Sequence, residues 1–157
     1  MRYAFIFLLA IAAFACDSNR LAEDQVDFAS RTWAAQHSPE FQFRIQDAGM
    51  RYNLYYTVRN TIDYPFARLF VNYQLTDSAG QVLSEKLITS YLFDVKTGKP
   101  NGRSGLGDVY DHRELILENF EFRQPGLYKL RLQQFMRTDS LAGVLAVGMR
   151  VETAENK

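Results

Sequence analysis

Few side chains in this sequence are equipped for covalent or acid–base chemistry. Its 157 residues include one cysteine, Cys16, and two histidines, His37 and His112. The densest grouping of reactive types is Asp108, Asp111, His112 and Glu114. Carboxylates beside an imidazole suit a hard cation such as calcium, but the spacing matches no EF-hand loop. A solvated loop leading into a strand is therefore expected there, with no metal. The run before it, Lys96 to Gly107, holds four of the nine glycines and three basic residues. A phosphate-binding loop needs G-x-x-x-x-G-K-[ST] between a strand and a helix. Gly98 to Ser104 is one residue short of that pattern, has arginine for lysine, and leads into no helical pattern. A specially turned connection between strands is expected, with partner contact as its alternative role. No G-x-S-x-G elbow and no H-E-x-x-H pair occurs, so two common hydrolytic designs lack their residues. Carboxylate pairs for glycoside hydrolysis are set in three dimensions and cannot be read from linear spacing. No catalytic residue, cofactor or small-molecule substrate is expected.

Cys16 has a more specific setting. Met1-Arg2 supplies a positive charge, and Tyr3 to Ala15 is an uncharged, almost wholly apolar run of thirteen residues. A membrane-spanning helix needs about 20 such residues, whereas thirteen suits the hydrophobic segment of a signal peptide. Ala13 and Ala15 are small, and Asp17-Ser18-Asn19-Arg20 turns abruptly polar. Ala13-Phe14-Ala15-Cys16 resembles the bacterial lipobox, in which cleavage leaves a lipid-bearing cysteine at the new N-terminus. Cys16 is accordingly the expected lipid attachment residue, and the membrane the expected first partner. Each buried CH₂ contributes about 0.8 kcal/mol, so two or more acyl chains hold a protein on a bilayer. The 18 basic and 18 acidic residues of the chain balance, which gives no electrostatic case for nucleic-acid binding.

The elements that would position these residues follow from periodicity. The expected organisation is a signal peptide over 1–15, a lipidated tether over 16–25 and a β-sandwich domain over 26–153. Val26 to Ala35 reads as a strand or a short helical turn. Beyond Pro39, period two takes over. Phe41, Phe43 and Ile45 share a face, as do Tyr52, Leu54, Tyr56 and Val58. Val71, Tyr73 and Leu75 do the same, then Tyr128, Leu130 and Leu132, then Val147, Met149 and Val151. Each set alternates with mostly polar residues, the pattern of half-buried antiparallel strands. Asp47-Ala48-Gly49, Asp77-Ser78-Ala79-Gly80 and Gln124-Pro125-Gly126 supply turns. Another strand is expected from Glu114 to Phe122, with a phase slip at Leu117-Glu118 of the kind a bulge makes. The expected fold is an all-β antiparallel sandwich of about eight strands in two sheets.

Trp33, Tyr64, Phe66, Phe70, Tyr91 and Phe93 are rings from which a sugar-stacking platform could be built. A sandwich core is made of the same residues, and core is the expected role. Arg59, Arg137 and Arg150 are expected toward solvent or a sheet edge, paired with Asp63, Asp139 and Glu152.

Several of these residues, in order, resemble the GldH-type gliding motility lipoproteins. The likeness runs through Trp33, Phe41-x-Phe43-x-Ile45 and Tyr52-Asn53-Leu54 to Val58-Arg59-Asn60, Asp63-Tyr64-Pro65-Phe66 and Leu69. It continues through Gly105-Leu106-Gly107, Phe122 and Gly126-x-Tyr128. Its most specific part is Gln134-x-Met136-Arg137-x-Asp139-x-Leu141-x-Gly143, followed by Val147 to Glu152. The resemblance implies a non-enzymatic envelope lipoprotein, held most naturally at the outer membrane. It also implies a role in gliding along surfaces, and partners in the gliding apparatus and the protein secretion system linked to it. An envelope glycan-binding lipoprotein is the alternative reading.

Overall fold

The computed structural model describes residues 19–154. The expected leader over 1–15 and the expected lipid site Cys16 lie outside the described residues. The first strands are β1 (Arg20–Asp27), β2 (Thr32–Ala34), β3 (Glu40–Ile45) and β4 (Arg51–Thr61). Next come β5 (Arg68–Asp77), β6 (Val82–Tyr91), β7 (Arg103–Ser104) and β8 (Val109–Glu121). β9 (Gly126–Gln134), β10 (Ser140–Ala142) and β11 (Val144–Thr153) complete the chain. The architecture is the expected all-β antiparallel sandwich. Eight of these strands are six residues or longer; β2, β7 and β10 are short additions.

One sheet has the order β1-β11-β4-β8-β7, the other β3-β9-β5-β6, and β10-β2 forms a separate ribbon. Alternation decides which side chains enter the space between the sheets. Tyr52, Leu54, Tyr56 and Val58 are buried from β4, and Leu69, Val71, Tyr73 and Leu75 from β5. Phe41, Phe43 and Ile45 come from β3, and Val147, Met149 and Val151 from β11. Two tyrosines link the layers through their hydroxyls, Tyr56 with Ser90 and Tyr73 with the Ile116 carbonyl. The phase slip expected near Leu117 is present: Leu54 pairs with Leu117 but Tyr55 with Leu115, so β8 bulges there. The strand itself starts earlier than expected, at Val109.

The two ends of the sandwich are closed differently. Where β3 meets β4, Phe43, Tyr52, Phe120, Phe122 and Tyr128 form an aromatic cluster, with Phe122 and Tyr128 centroids 4.4 Å apart. Tyr52 and Tyr128 donate hydroxyl hydrogen bonds of 2.6 Å to the Asp47 and Gln124 carbonyls, which fixes the adjoining turns. At the opposite end the β2–β10 ribbon closes the core with Trp33 and Leu141, each fully buried and paired across the ribbon.

The expected tether needs correction. β1 begins at Arg20, inside the stretch expected to be a linker, and pairs along β11 from Glu152 to Ala146. Leu21, Ala22 and Val26 pack against the core, while Glu23, Gln25 and Asp27 stay exposed. The polarity that suggested a linker is that of an edge strand with a wet face, where charges also discourage further pairing. The stretch from Val26 to Ala35, expected as a strand or a short helical turn, holds the end of β1, a turn with Arg31 at positive φ, and β2.

Gly143 joins β10 to β11 at φ 82°, and an added Cβ would stand 2.9 Å from backbone atoms of Tyr64. Its N–H donates to Arg31 and its carbonyl accepts from Thr61, so three segments converge on it. Gly143→Ala is expected to destabilise the fold by about 1–3 kcal/mol, read as a lower urea midpoint.

Candidate functional site

The sequence-selected residues are distributed by strand alternation, and the alternation separates them. Asp111 lies on the outer face of the β1–β7 sheet, where its Oδ1 accepts a 2.6 Å hydrogen bond from Arg59 Nε. His112 and Glu114, one and three positions on, turn toward the interior. No group of three or more His, Cys, Asp or Glu side chains converges among the described residues. The glycine-rich run folds back on β8 rather than forming a cradle. Asp94 Oδ1 accepts from the Lys96 and Thr97 amides and the Thr97 hydroxyl, and these bonds hold its carboxyl below the usual range. Arg103 and Ser104 then pair with Asp111 and Tyr110.

Gly102 has a steric reason to be glycine. A Cβ there would meet His112 Nε2 at 2.6 Å and the Asp111 carbonyl at 2.9 Å. His112 is thus roofed by backbone, and its Nε2 has no hydrogen-bond partner among the described residues. Burial pushes its pKa below the usual 6.5, against the weaker pull of Asp111. The unfolded chain therefore takes up a proton at a higher pH than the native protein does. Between those two values the unfolded state binds more protons, so this contribution to stability falls as pH drops below about 6.5. Glu114 acts in the other direction: burial raises its pKa, so folding disfavours its ionised form as pH rises. Other charged or titratable groups near this pair are Asp111, Arg103 and Tyr91, with Tyr56 on β4. Urea midpoints measured from pH 7 to 5 are expected to decline less steeply in His112→Leu than in the natural protein. Equal slopes would remove His112 as the titrating group.

The outer face of the five-stranded sheet carries an open groove of about 690 Å³ that turns over the β8 edge toward Tyr91 and Asn101. Its floor is small, with Ala146 and Thr57. Apart from Arg103, its arginines are matched by carboxylates. Arg150 Nε lies 2.5 Å from Glu152 and its Nη1 3.2 Å from Glu23. Arg113 lies 3.1 Å from Glu152 and its guanidinium 5.0 Å over the Tyr55 ring. A surface so neutralised offers an anion or cation little unspent charge.

Two pairing expectations are corrected. Arg59 pairs across the sheet with Asp111 rather than with the neighbouring Asp63, because register places them opposite each other. Arg137 is exposed and makes no ion pair with Asp139 among the described residues. Arg150 does pair with Glu152, but it is buried rather than solvent-facing. β11 lies between β1 and β4, so side chains of the flanking strands close in on Arg150 and leave it 7% exposed.

The six candidate platform rings do not form one exposed platform, although Tyr64 touches both Phe66 and Phe93. Trp33, Tyr64 and Phe93 are core residues, Phe70 is half-buried, and Phe66 and Tyr91 are exposed at 42% and 50%. The core expectation therefore fails for Phe66 and Tyr91, which occupy a loop and a strand end outside the sandwich interior. Sequence reading also missed Phe135, exposed at 58%. Its signal is the adjacent apolar pair Phe135-Met136 at a strand end, where alternation can bury only one of the two.

The family model for the GldH lipoprotein matches residues 20–151. The chain belongs to the GldH lipoprotein family. The match begins at Arg20, where β1 begins, so the strand first expected to be a tether lies inside the GldH domain. A protein of Christiangramia forsetii named "Gliding motility lipoprotein GldH homolog" is 29% identical over 163 residues, covering 97% of this chain and 96% of that one. "Gliding motility lipoprotein GldH" of Flavobacterium johnsoniae is 25% identical, covering 94% and 93%. Among solved structures, dimeric latent PorU from Porphyromonas gingivalis overlaps 86% of this chain and 13% of its own. The identity is 7% and the TM-score 0.38, too slight a likeness to bear on the fold.

Proposed function

We propose that this protein is a non-enzymatic component of the gliding motility apparatus, anchored in the outer membrane by lipid on Cys16. In this reading it acts as an accessory scaffold, with partners in that apparatus and in the secretion machinery linked to it. The observation that carries the reading is the near full-length match to two chains named gliding motility lipoproteins. The site geometry is compatible with it, since most charges of the groove are matched and the reactive side chains are dispersed. Confinement to a plane raises the effective concentration of the domain for partners that bind weakly in solution.

The anchor has a geometric consequence. Cys16 precedes Arg20 by four positions, at most about 14 Å of extended chain. The sandwich is therefore held close to the bilayer by the end at which Arg20 enters, which is also the end of the Phe122 cluster. Cys16→Ala is expected to move the protein from the membrane to the soluble fraction and to abolish spreading on agar. Full gliding with a soluble variant would overturn the proposal. So would a bare thiol or an intact leader in mass spectrometry of native material.

A further inference from the structure

The outer face of the four-stranded sheet changes character along its length. In the middle it is polar, with Asn72 and Gln74 donating to Glu85 at 3.0 and 3.1 Å. At the end where β5 starts and β6 finishes, Phe66, Phe70, Leu87, Phe135 and Met136 line a depression of about 720 Å³. Phe66, Leu87 and Phe135 are each more than 40% exposed. Contiguous exposed apolar surface of this kind marks an interaction site more often than scattered exposed residues do.

The depression is built in advance rather than formed by loose side chains. The Phe135 amide donates to the Phe70 carbonyl at 2.8 Å, and the Met136 amide to Gln134 Oε1 at 2.8 Å. The Phe70 amide lies 3.4 Å from Met136 Sδ, and Phe66 packs edge-on against the buried Tyr64 ring at 5.8 Å. Its charge is one-sided. Among the described residues Arg137 is the only charged one lining it, and neither Arg137 nor nearby Arg68 has an ion-pair partner there. Arg68 lies over the Tyr91 ring at 5.5 Å. This contrasts with the opposite sheet, where Arg59, Arg113 and Arg150 are all neutralised by the protein's own carboxylates.

Position narrows the occupant. Arg20 enters the sandwich beside Glu152, near the start of β4, whereas Phe66 follows the end of β4. Ten steps along β4 at about 3.3 Å each span about 33 Å. If the lipid holds the Arg20 end, the depression faces away from the bilayer. A second copy packed across a twofold axis would bring two basic rims together, which opposes self-association there.

We propose that this depression docks an extended, acidic and apolar segment of another envelope protein. An aromatic or aliphatic side chain fills the space between Phe66, Phe70 and Phe135, and a neighbouring carboxylate pairs with Arg137. The orientation rests on the lipid-anchored reading above; the pocket and its charge do not.

The test places a photoreactive phenylalanine analogue at position 135 of the full-length protein in intact cells, with position 127 at the opposite end as control. The expected result is a protein adduct at 135 whose yield falls at least fivefold in Arg137→Glu, at unchanged protein level. The cross-linked peptide should carry Asp or Glu within a few residues of an apolar side chain. An adduct insensitive to Arg137→Glu, an adduct with lipid or with the same chain, or none at all would each overturn it. A charge-dependent adduct, together with normal gliding of a strain from which this protein has been deleted, would refute the motility reading and leave the docking site standing.

Discussion

Trp33→Ala is expected to destabilise the domain by about 3–5 kcal/mol, the range for removing a large buried aromatic. Trp33 is fully buried although it sits on a three-residue strand at the end of the sandwich. Three things fix it: Leu141 opposite it on β10, the Phe28 ring stacked at 5.8 Å, and an indole N–H donating to the His37 carbonyl at 2.7 Å. Truncation would leave a void that β2 and β10 cannot close without parting from the sheets. It would also strand the His37 carbonyl. Trp33→Phe keeps most of the volume and loses only the hydrogen bond and one ring, so its expected cost is about 2 kcal/mol. Circular dichroism melts should rank natural protein, Trp33→Phe and Trp33→Ala in that order, the last lowered by on the order of 10 °C or more. A Trp33→Ala variant within 1 °C of the natural protein would mean that the ribbon is not part of the cooperative core.

How far such positions can be read without coordinates depends on whether a local rule or a neighbour sets them. β3, β4, β5, β9 and β11 were legible because period-two alternation is local, and so was the bulge in β8. Trp33 was harder, since three residues are too few to show a period. β1 was misread because an edge strand is wet on one face and carries the charges of a linker. Phe66 and Tyr91 were expected inside because hydrophobicity alone does not say whether a ring meets another layer. For the candidate site the limit is register. Asp111 and His112 are adjacent in sequence, yet they serve opposite faces. Arg59 finds its partner across a ladder rather than along the chain. Gly102 was visible as part of a glycine-rich run, but its role beneath His112 exists only once β7 pairs with β8. Cys16 stands apart, since its expected chemistry comes from the leader before it and not from the fold.

Arg150 shows how strand order changes energetics, and Arg150→Ala is expected to cost about 3 kcal/mol, near the lower bound for breaking a buried ion pair. The guanidinium is 9% exposed, Glu152 16% and Glu23 42%, so one partner keeps much of its water and the loss stays at the lower end. By contrast, Arg51 and Glu121 are 60% and 64% exposed, and Arg51→Ala should cost under about 1 kcal/mol. The network also has a direction. Glu23 lies on β1, Arg150 and Glu152 on β11, and Arg113 on β8, so the pairs run across four neighbouring strands with β4 between. β1 pairs with β11 alone, and it is the strand through which a load on Cys16 would enter the domain. Removing Arg150 should therefore loosen β1 before the rest. In Arg150→Ala, native-state hydrogen exchange is expected to quicken first at β1 amides bonded to β11, while the β4 and β9 amides keep their protection. Glu152 keeps Arg113 and Glu23 keeps Arg20 when Arg150 is lost, but both arginines are about half-exposed. Neutralising the acids as well, in Arg150→Met with Glu23→Gln and Glu152→Gln, should therefore restore at least half of the lost stability. No neutral replacement then leaves a carboxylate without its cation. A triple variant no more stable than Arg150→Ala would show that shape, rather than charge pairing, is what Arg150 supplies to the sheet.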